Sequence, residues 1–210
     1  MDDAPATDCL SQRRAGVLLH LTSLPGEGPC GDLGWEAFNF VNFLATADVG
    51  VWQMLPVGPP QAGDSPYPTS SAHAGSARLI GLEPLVEAGW LSPGRVPATD
   101  DASKRECLAE AHRGFSQAAA DPDREALARF CDEQAFWLDD YALYRAIHEE
   151  RDRPWWEWPT GLRDRDGRSL GQARRRLDQA IDDIRFEQFV FFRQWDRLRA
   201  HANGQGVLLF

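Results

Sequence analysis

Lysine is almost absent from this chain: of the 22 basic residues in 210, only Lys104 is a lysine and the rest are arginine. We read this as a compositional bias rather than as the mark of a site. The basic residues are outnumbered by 32 acidic ones, and the resulting formal charge of −10 argues against nucleic acid and anionic membrane as partners. Cysteine is scarce too. Cys9, Cys30, Cys107 and Cys131 contain no C-x-x-C pair, which argues against a zinc or dithiol motif, and four are too few for a disulfide scaffold. Free thiols in a reducing, cytoplasmic compartment are expected. The opening Met1-Asp2-Asp3-Ala4-Pro5 does not begin a signal peptide, and no apolar run approaches the about 20 residues of a membrane span. Nothing resembles a G-x-S-x-G elbow, a P-loop or a Rossmann glycine pattern. His73 and His148 have no partners at ligand spacing, so no metal is expected.

What is present is an apolar fraction of 43%, with eight tryptophans, enough for a packed core. Residues 1–12 read as a disordered tail. Gly16-Val17-Leu18-Leu19-His20-Leu21 is a continuous apolar run, as in a strand of a parallel sheet buried on both faces. Leu33, Ala37, Phe40, Leu44 and Ala47 then recur at helical spacing, and the pattern predicts a helix over 34–47. A second buried strand follows at Val51-Trp52-Gln53-Met54-Leu55-Pro56-Val57. Strand, helix and strand with short links make a βαβ unit.

Residues 58–75 are rich in Gly, Pro and Ser, the composition of a loop. Residues 79–91 read as a short helical or irregular piece and 92–104 as a polar linker. Helices are expected over 105–120, 123–150 and 169–203, with a Pro/Trp-rich turn at Arg153-Pro154-Trp155-Trp156-Glu157-Trp158-Pro159. Asn203-Gly204 is the expected helix stop, and Gly206-Val207-Leu208-Leu209-Phe210 a third buried strand. The organisation is a tail (1–12), a βαβ part with its loop (13–91), a helical insertion (92–204) and a third strand (205–210). Three parallel strands do not close a barrel, since a (β/α)₈ barrel needs eight. The fold class is therefore α/β: the first part of a TIM barrel carrying a large helical insertion.

In βα architectures the loops after the strands build the site. The loop after the second strand holds Asp64, Ser65 and Tyr67, a carboxylate, a hydroxyl and a phenol beside Pro66. Those groups can bond sugar hydroxyls, and the tyrosine ring can cover the apolar face of a pyranose. The same residues also fit an Asx-type turn in which Asp64 bonds backbone N–H groups and Tyr67 packs inward. Thr22 and Ser23, after the first strand, offer a second set of hydroxyls or a plain turn. The Trp155-Trp156-Glu157-Trp158 cluster fits a packing hub or a stacking surface for glucose rings. Phe136, Trp137, Tyr141 and Tyr144 read as core.

Taken together, ordered motifs resemble those of the amylomaltases, a family of 4-α-glucanotransferases. They are Gly16-Val17-Leu18-Leu19-His20, Thr22-Ser23-Leu24-Pro25-Gly26, Gly31-Asp32-Leu33-Gly34 and Trp52-Gln53-Met54-Leu55-Pro56-Val57-Gly58-Pro59. Gly63-Asp64-Ser65-Pro66-Tyr67, Trp137-Leu138-Asp139-Asp140-Tyr141-Ala142-Leu143, Pro154-Trp155-Trp156-Glu157-Trp158-Pro159 and Phe191-Phe192-Arg193-Gln194-Trp195 continue the series over about 13–210. The resemblance implies a (β/α)₈ barrel without a cofactor that transfers α-1,4-glucan segments, with retention, between maltooligosaccharides or starch and glycogen chains. It makes Tyr67, with Ser65 and Asp64, substrate-binding. The family follows that tyrosine with Gln and the Ala-Gly of the loop with Asn-Pro, where this chain has Pro68 and Ser76-Ala77. By the same resemblance the nucleophile and acid/base come from later strands than the third, so none of the catalytic residues lies in this chain. An incomplete N-terminal fragment, inactive alone, is the expectation. The alternatives are a non-catalytic glucan-binding protein or a decayed one.

Overall fold

A computed structural model describes residues 13–26, 28–61 and 65–210; the expected tail at 1–12 lies outside them. Three short parallel strands, β1 (Gly16–Leu18), β2 (Val51–Gln53) and β3 (Leu208–Leu209), form one sheet in that order. Val17 pairs with Trp52, and Trp52 with Leu209. The Leu19 amide donates to the Gln53 carbonyl and the Met54 amide to that of Phe210, so the ladder runs one residue past each strand.

The strands were expected to be buried on both faces, and they are covered on one. Trp52 is fully buried, edge-on to Phe40 of α1 (Trp35–Thr46), with its indole N–H donating to the Leu19 carbonyl at 2.7 Å. Leu18, on the opposite face, is 58% exposed. Three strands cannot wrap round to cover their own inner face, which a barrel does only on closure.

Between β2 and β3 the chain is helical: α2 (Glu83–Glu87), α3 (Asp101–Ala118), α4 (Asp121–Arg151), α5 (Thr160–Arg163), α6 (Gly167–Arg176) and α7 (Asp178–Gly204). The 92–104 stretch is not linker throughout. A 3₁₀ turn occupies Pro93–Arg95, and α3 begins at Asp101 behind a capping box. There the Asp100 carboxylate accepts from the Ser103 amide at 2.7 Å, and the Ser103 hydroxyl accepts from the Asp100 amide at 3.0 Å. The 169–203 helix is two helices, broken at Leu177; the apolar spacing runs through the break, so periodicity alone did not reveal it. Helix α7 ends at Gly204, at the expected Asn203-Gly204 stop. Gly206, at φ +75, turns the chain from α7 into β3.

Two hydrophobic clusters result. One joins the sheet, α1, α2, α3 and the central and C-terminal parts of α7, including Trp52, Leu108, Phe115, Phe186, Phe191 and Leu198. The other joins α4, α5, α6 and the first turns of α7, including Leu138, Ala142, Ile147, Leu170 and Ile184. Helix α7 spans both, and it runs beneath the loop that leaves β2.

Candidate functional site

That loop is a small hairpin on a fixed base. Pro60 and Thr69 form an antiparallel bridge, the Ser70 amide donates to the Pro59 carbonyl at 3.0 Å, and the Gln61 amide to that of Pro68 at 2.8 Å. The Thr69 hydroxyl contacts the carbonyl oxygens of Ser71 at 2.8 Å and of Pro59 at 3.1 Å. The Ser71 hydroxyl accepts from the amides of His73 and Ala74, both at 3.1 Å. Small polar residues thus supply the bonds that a Pro-rich segment cannot make from its own backbone.

Of the three sugar-binding candidates, Asp64 lies outside the described residues. Ser65 is exposed, and Tyr67 is 69% exposed at the hairpin tip, so it does not pack inward. Neither lines the cleft beside the hairpin. The base of the hairpin does. Pro59, Pro60, Gln61 and Ser70 form one wall of an open cleft of about 1060 Å³. It is also lined by Arg78, by Asp101, Lys104, Arg105 and Leu108 of α3, by Tyr144, Arg145, His148 and Glu149 of α4, and by Trp155 and Trp156.

The charges on these walls are tied to one another. Lys104 Nζ donates to Asp32 Oδ2 at 2.9 Å and to the Arg78 carbonyl at 2.8 Å, and the Arg78 guanidinium meets Asp101 at 3.1 Å. Arg145 donates to the Tyr141 hydroxyl at 3.0 Å and pairs with Glu149 one turn on. Burial works against the Arg145 charge, but Tyr141 and Glu149 more than offset it, and its pKa stands above the ordinary arginine value. Burial also raises the Tyr141 phenol. Behind this wall Glu187 of α7 is buried, with Oε2 lacking a hydrogen-bond partner. Its pKa is pushed up to about 7 by loss of solvent, and the Arg145 charge offsets this only in part.

The tryptophan cluster divides between its two readings. Trp158 is packed, its indole N–H donating to the Arg153 carbonyl at 3.0 Å. Trp155 and Trp156 are 50% and 60% exposed, perpendicular to each other, and line the cleft. The aromatic stripe of α4 divides as well. Trp137 and Tyr141 are core, Phe136 is exposed, and half-buried Tyr144 faces the cleft. The sequence does not mark the α4 wall by composition, because Tyr144 falls in an aromatic stripe that reads as core. The signal for it was spacing: Tyr144 and His148, and Arg145 and Glu149, stand four apart, on one side of a helix.

No three His, Cys, Asp or Glu side chains converge as metal ligands among the described residues, and Cys30, Cys107 and Cys131 are free thiols. No described helix is long and apolar enough to cross a membrane. The cleft therefore offers apolar ring faces flanked by fixed polar groups, the two requirements of a sugar ring.

Residues 19–210 match the family model described as 4-alpha-glucanotransferase. The 4-alpha-glucanotransferase of Thermus thermophilus is 43% identical over 204 residues, covering 93% of this chain and 41% of that protein. That of Aquifex aeolicus is 38% identical over 206 residues, with the same two shares. A solved amylomaltase from Streptococcus agalactiae, in complex with acarbose, superposes with a TM-score of 0.88 at 31% identity, over 94% of this chain and 42% of that one. The amylomaltase of Corynebacterium glutamicum, at 16% identity and a TM-score of 0.71, shares the fold. This chain spans about 41% of the length of the curated relatives from Thermus and Aquifex.

Proposed function

This chain belongs to the 4-alpha-glucanotransferase family, and we propose that it forms the N-terminal part of an enzyme that transfers α-1,4-glucan segments between maltooligosaccharides, starch or glycogen chains. Its own contribution is to hold the glucan. The observation that carries this reading is the pair of exposed rings, Trp155 and Trp156, on an open cleft that also presents hydrogen-bonding side chains. An aromatic face takes the C–H side of a glucose ring, while Gln61, His148, Arg145 and Glu149 offer donors and acceptors to its hydroxyls. Tyr67 and Ser65, on the adjoining hairpin, extend that surface toward the donor side of the site, and the resemblance adds Asp64 of the same sequence motif.

Transfer with retention needs two carboxyl groups about 5–5.5 Å apart, one as nucleophile and one as acid and base. The family resemblance assigns both to later barrel strands, so these 210 residues bind glucan without cleaving it. The uncovered sheet face around Leu18 is where those strands would close the barrel. We place the complete protein in the cytoplasm, working without a cofactor.

Titration of the chain with maltoheptaose tests the reading through tryptophan fluorescence. Saturable quenching is expected, and Trp155→Ala and Trp156→Ala each weaken binding about tenfold, a little over 1 kcal/mol and within the usual worth of an aromatic contact. The same preparation releases no glucose from maltotriose. Binding unchanged in the double variant, or glucose release at an enzyme-like rate, would refute it.

A further inference from the structure

We propose that Gln188 of α7 is a positioning residue that fixes the β2 loop, and with it Gln61 on the cleft wall and Tyr67 at the hairpin tip, in the arrangement that meets a glucan. The proposal rests on the glucan-binding reading above.

The loop cannot hold itself. Among the described residues of 58–75 only Pro59 and Ala74 bury an apolar side chain, and the hairpin's backbone bonds join Pro59 and Gln61 to Pro68 and Ser70. Its C-terminal anchor is Gly75, and one fully buried side chain takes both polar groups of that residue. Gln188 Oε1 accepts from the Gly75 amide at 2.9 Å, and Gln188 Nε2 donates to the Gly75 carbonyl at 3.0 Å. The approach is close enough that a Cβ on Gly75 would lie 2.0 Å from the Phe191 ring, so α7 grips bare backbone there.

A continuous run of bonds leads outward from this anchor. Next to Gly75, the Ala74 amide is held by the Ser71 hydroxyl, and the Ser71 carbonyl contacts the Thr69 hydroxyl. That hydroxyl contacts the Pro59 carbonyl as well, and the Thr69 carbonyl accepts from the Gln61 side-chain amide at 3.1 Å. Helix α4 adds a second hold: the His73 ring stacks on Trp137 at 5.9 Å and meets Phe136 edge-on at 5.4 Å. Gln188 does not line the cleft, so it acts on the ligand only through the loop.

The molecule contains its own control. Six residues along α7, buried Gln194 makes the same two bonds to Gly81, at 2.8 Å each, beyond the 3₁₀ turn Ala77–Leu79. Chemistry and burial match, but Gly81 does not anchor the loop. Gln188→Met and Gln194→Met should destabilise the chain similarly, because each leaves a buried amide and carbonyl without partners. Only Gln188→Met should raise hydrogen exchange over 58–74, by tenfold or more, and weaken maltoheptaose binding about tenfold at a temperature where both variants are folded.

Gln188→Glu serves as a second variant if the methionine one does not fold. Its protonated carboxyl offers the same donor and acceptor, so it should keep the loop protected at acidic pH and release it on ionisation. Equal loop exchange in the Gln188 and Gln194 variants, or loop protection in Gln188→Glu that is independent of pH, would overturn the proposal. If the unaltered chain does not bind maltoheptaose, the glucan reading fails, and the exchange difference still decides whether Gln188 sets the loop.

Discussion

Replacing Lys104 by methionine should remove about 3 kcal/mol of stability, at the lower end of the 3–5 kcal/mol typical when one partner of a buried ion pair is lost. The lysine is only 6% exposed, and its ammonium joins segments distant in sequence: the Asp32 carboxylate before α1 and the Arg78 carbonyl in the 3₁₀ turn Ala77–Leu79. Asp32 has a second duty. Its Oδ1 accepts from the Gly34 amide at 2.9 Å, at the N-terminus of α1. Without Lys104 the carboxylate stays where α1 needs it, but its opposing charge is gone and a carbonyl loses its donor. The lower end of the range applies because Asp32 is 22% exposed and water compensates part of the loss. Lys104→Arg should not rescue fully, since a planar guanidinium does not replace a compact ammonium between two oxygens. Urea denaturation of Lys104→Met, Asp32→Asn and the double variant measures this. The double variant should be more stable than the sum of the single losses implies, because it removes the orphaned charge along with its partner. A loss below 1 kcal/mol for Lys104→Met would show that the pair is not a structural link.

That residue shows how far the sequence could be read. The near-absence of lysine reads as composition, yet the single lysine stands where an ammonium joins two parts of the fold. The elements themselves were legible because each carries a local signature. An apolar run between turn formers marks β1 and β2, and three- and four-residue spacing marks α1, α3 and α4. Turn chemistry was less reliable. Asp100 with Ser103 starts α3 inside a stretch polar enough to pass for linker, and Leu177 breaks a helix whose apolar spacing continues unbroken. The site was harder still, because a cleft wall is a property of packing. Tyr144 and Tyr141 are alike in sequence, yet Tyr141 is buried in the cluster between α4 and α7 while half-buried Tyr144 lines the cleft. Tyr67 was found through its loop. The base of the same hairpin, which lines the cleft, carried no signal beyond proline and glycine.

Raising the pH from 4.5 to 7 should destabilise the chain by about 3 kcal/mol through Glu187 alone, with no further loss above that range. An unfolded glutamate ionises near 4.5, whereas burial holds the folded carboxyl at about 7. Below the lower value both states carry the proton, and the group does not affect stability. Between the two, the unfolded chain releases its proton while the folded chain keeps it, so each pH unit shifts the balance toward unfolding by about 1.4 kcal/mol. Above 7 both states are ionised and the penalty is constant. The groups around the carboxyl explain why it is not relieved. Arg145 of α4 is the strongest favourable charge, with Arg105 of α3 weaker, but the Arg145 guanidinium is already engaged by the Tyr141 hydroxyl and Glu149. Glu149 and Asp183 add like charge, and Asp183 is itself held at 2.6 Å by His112, which stacks on Phe186. Denaturation of the chain and of Glu187→Gln at pH 4, 5, 6, 7 and 8 isolates the effect, since glutamine keeps the shape without the titration. The variant's advantage should widen up to about pH 7 and then level off. An advantage that stays constant across the series would mean that Glu187 finds in the folded chain a partner as good as water, and that Arg145 leaves Glu149 to provide it.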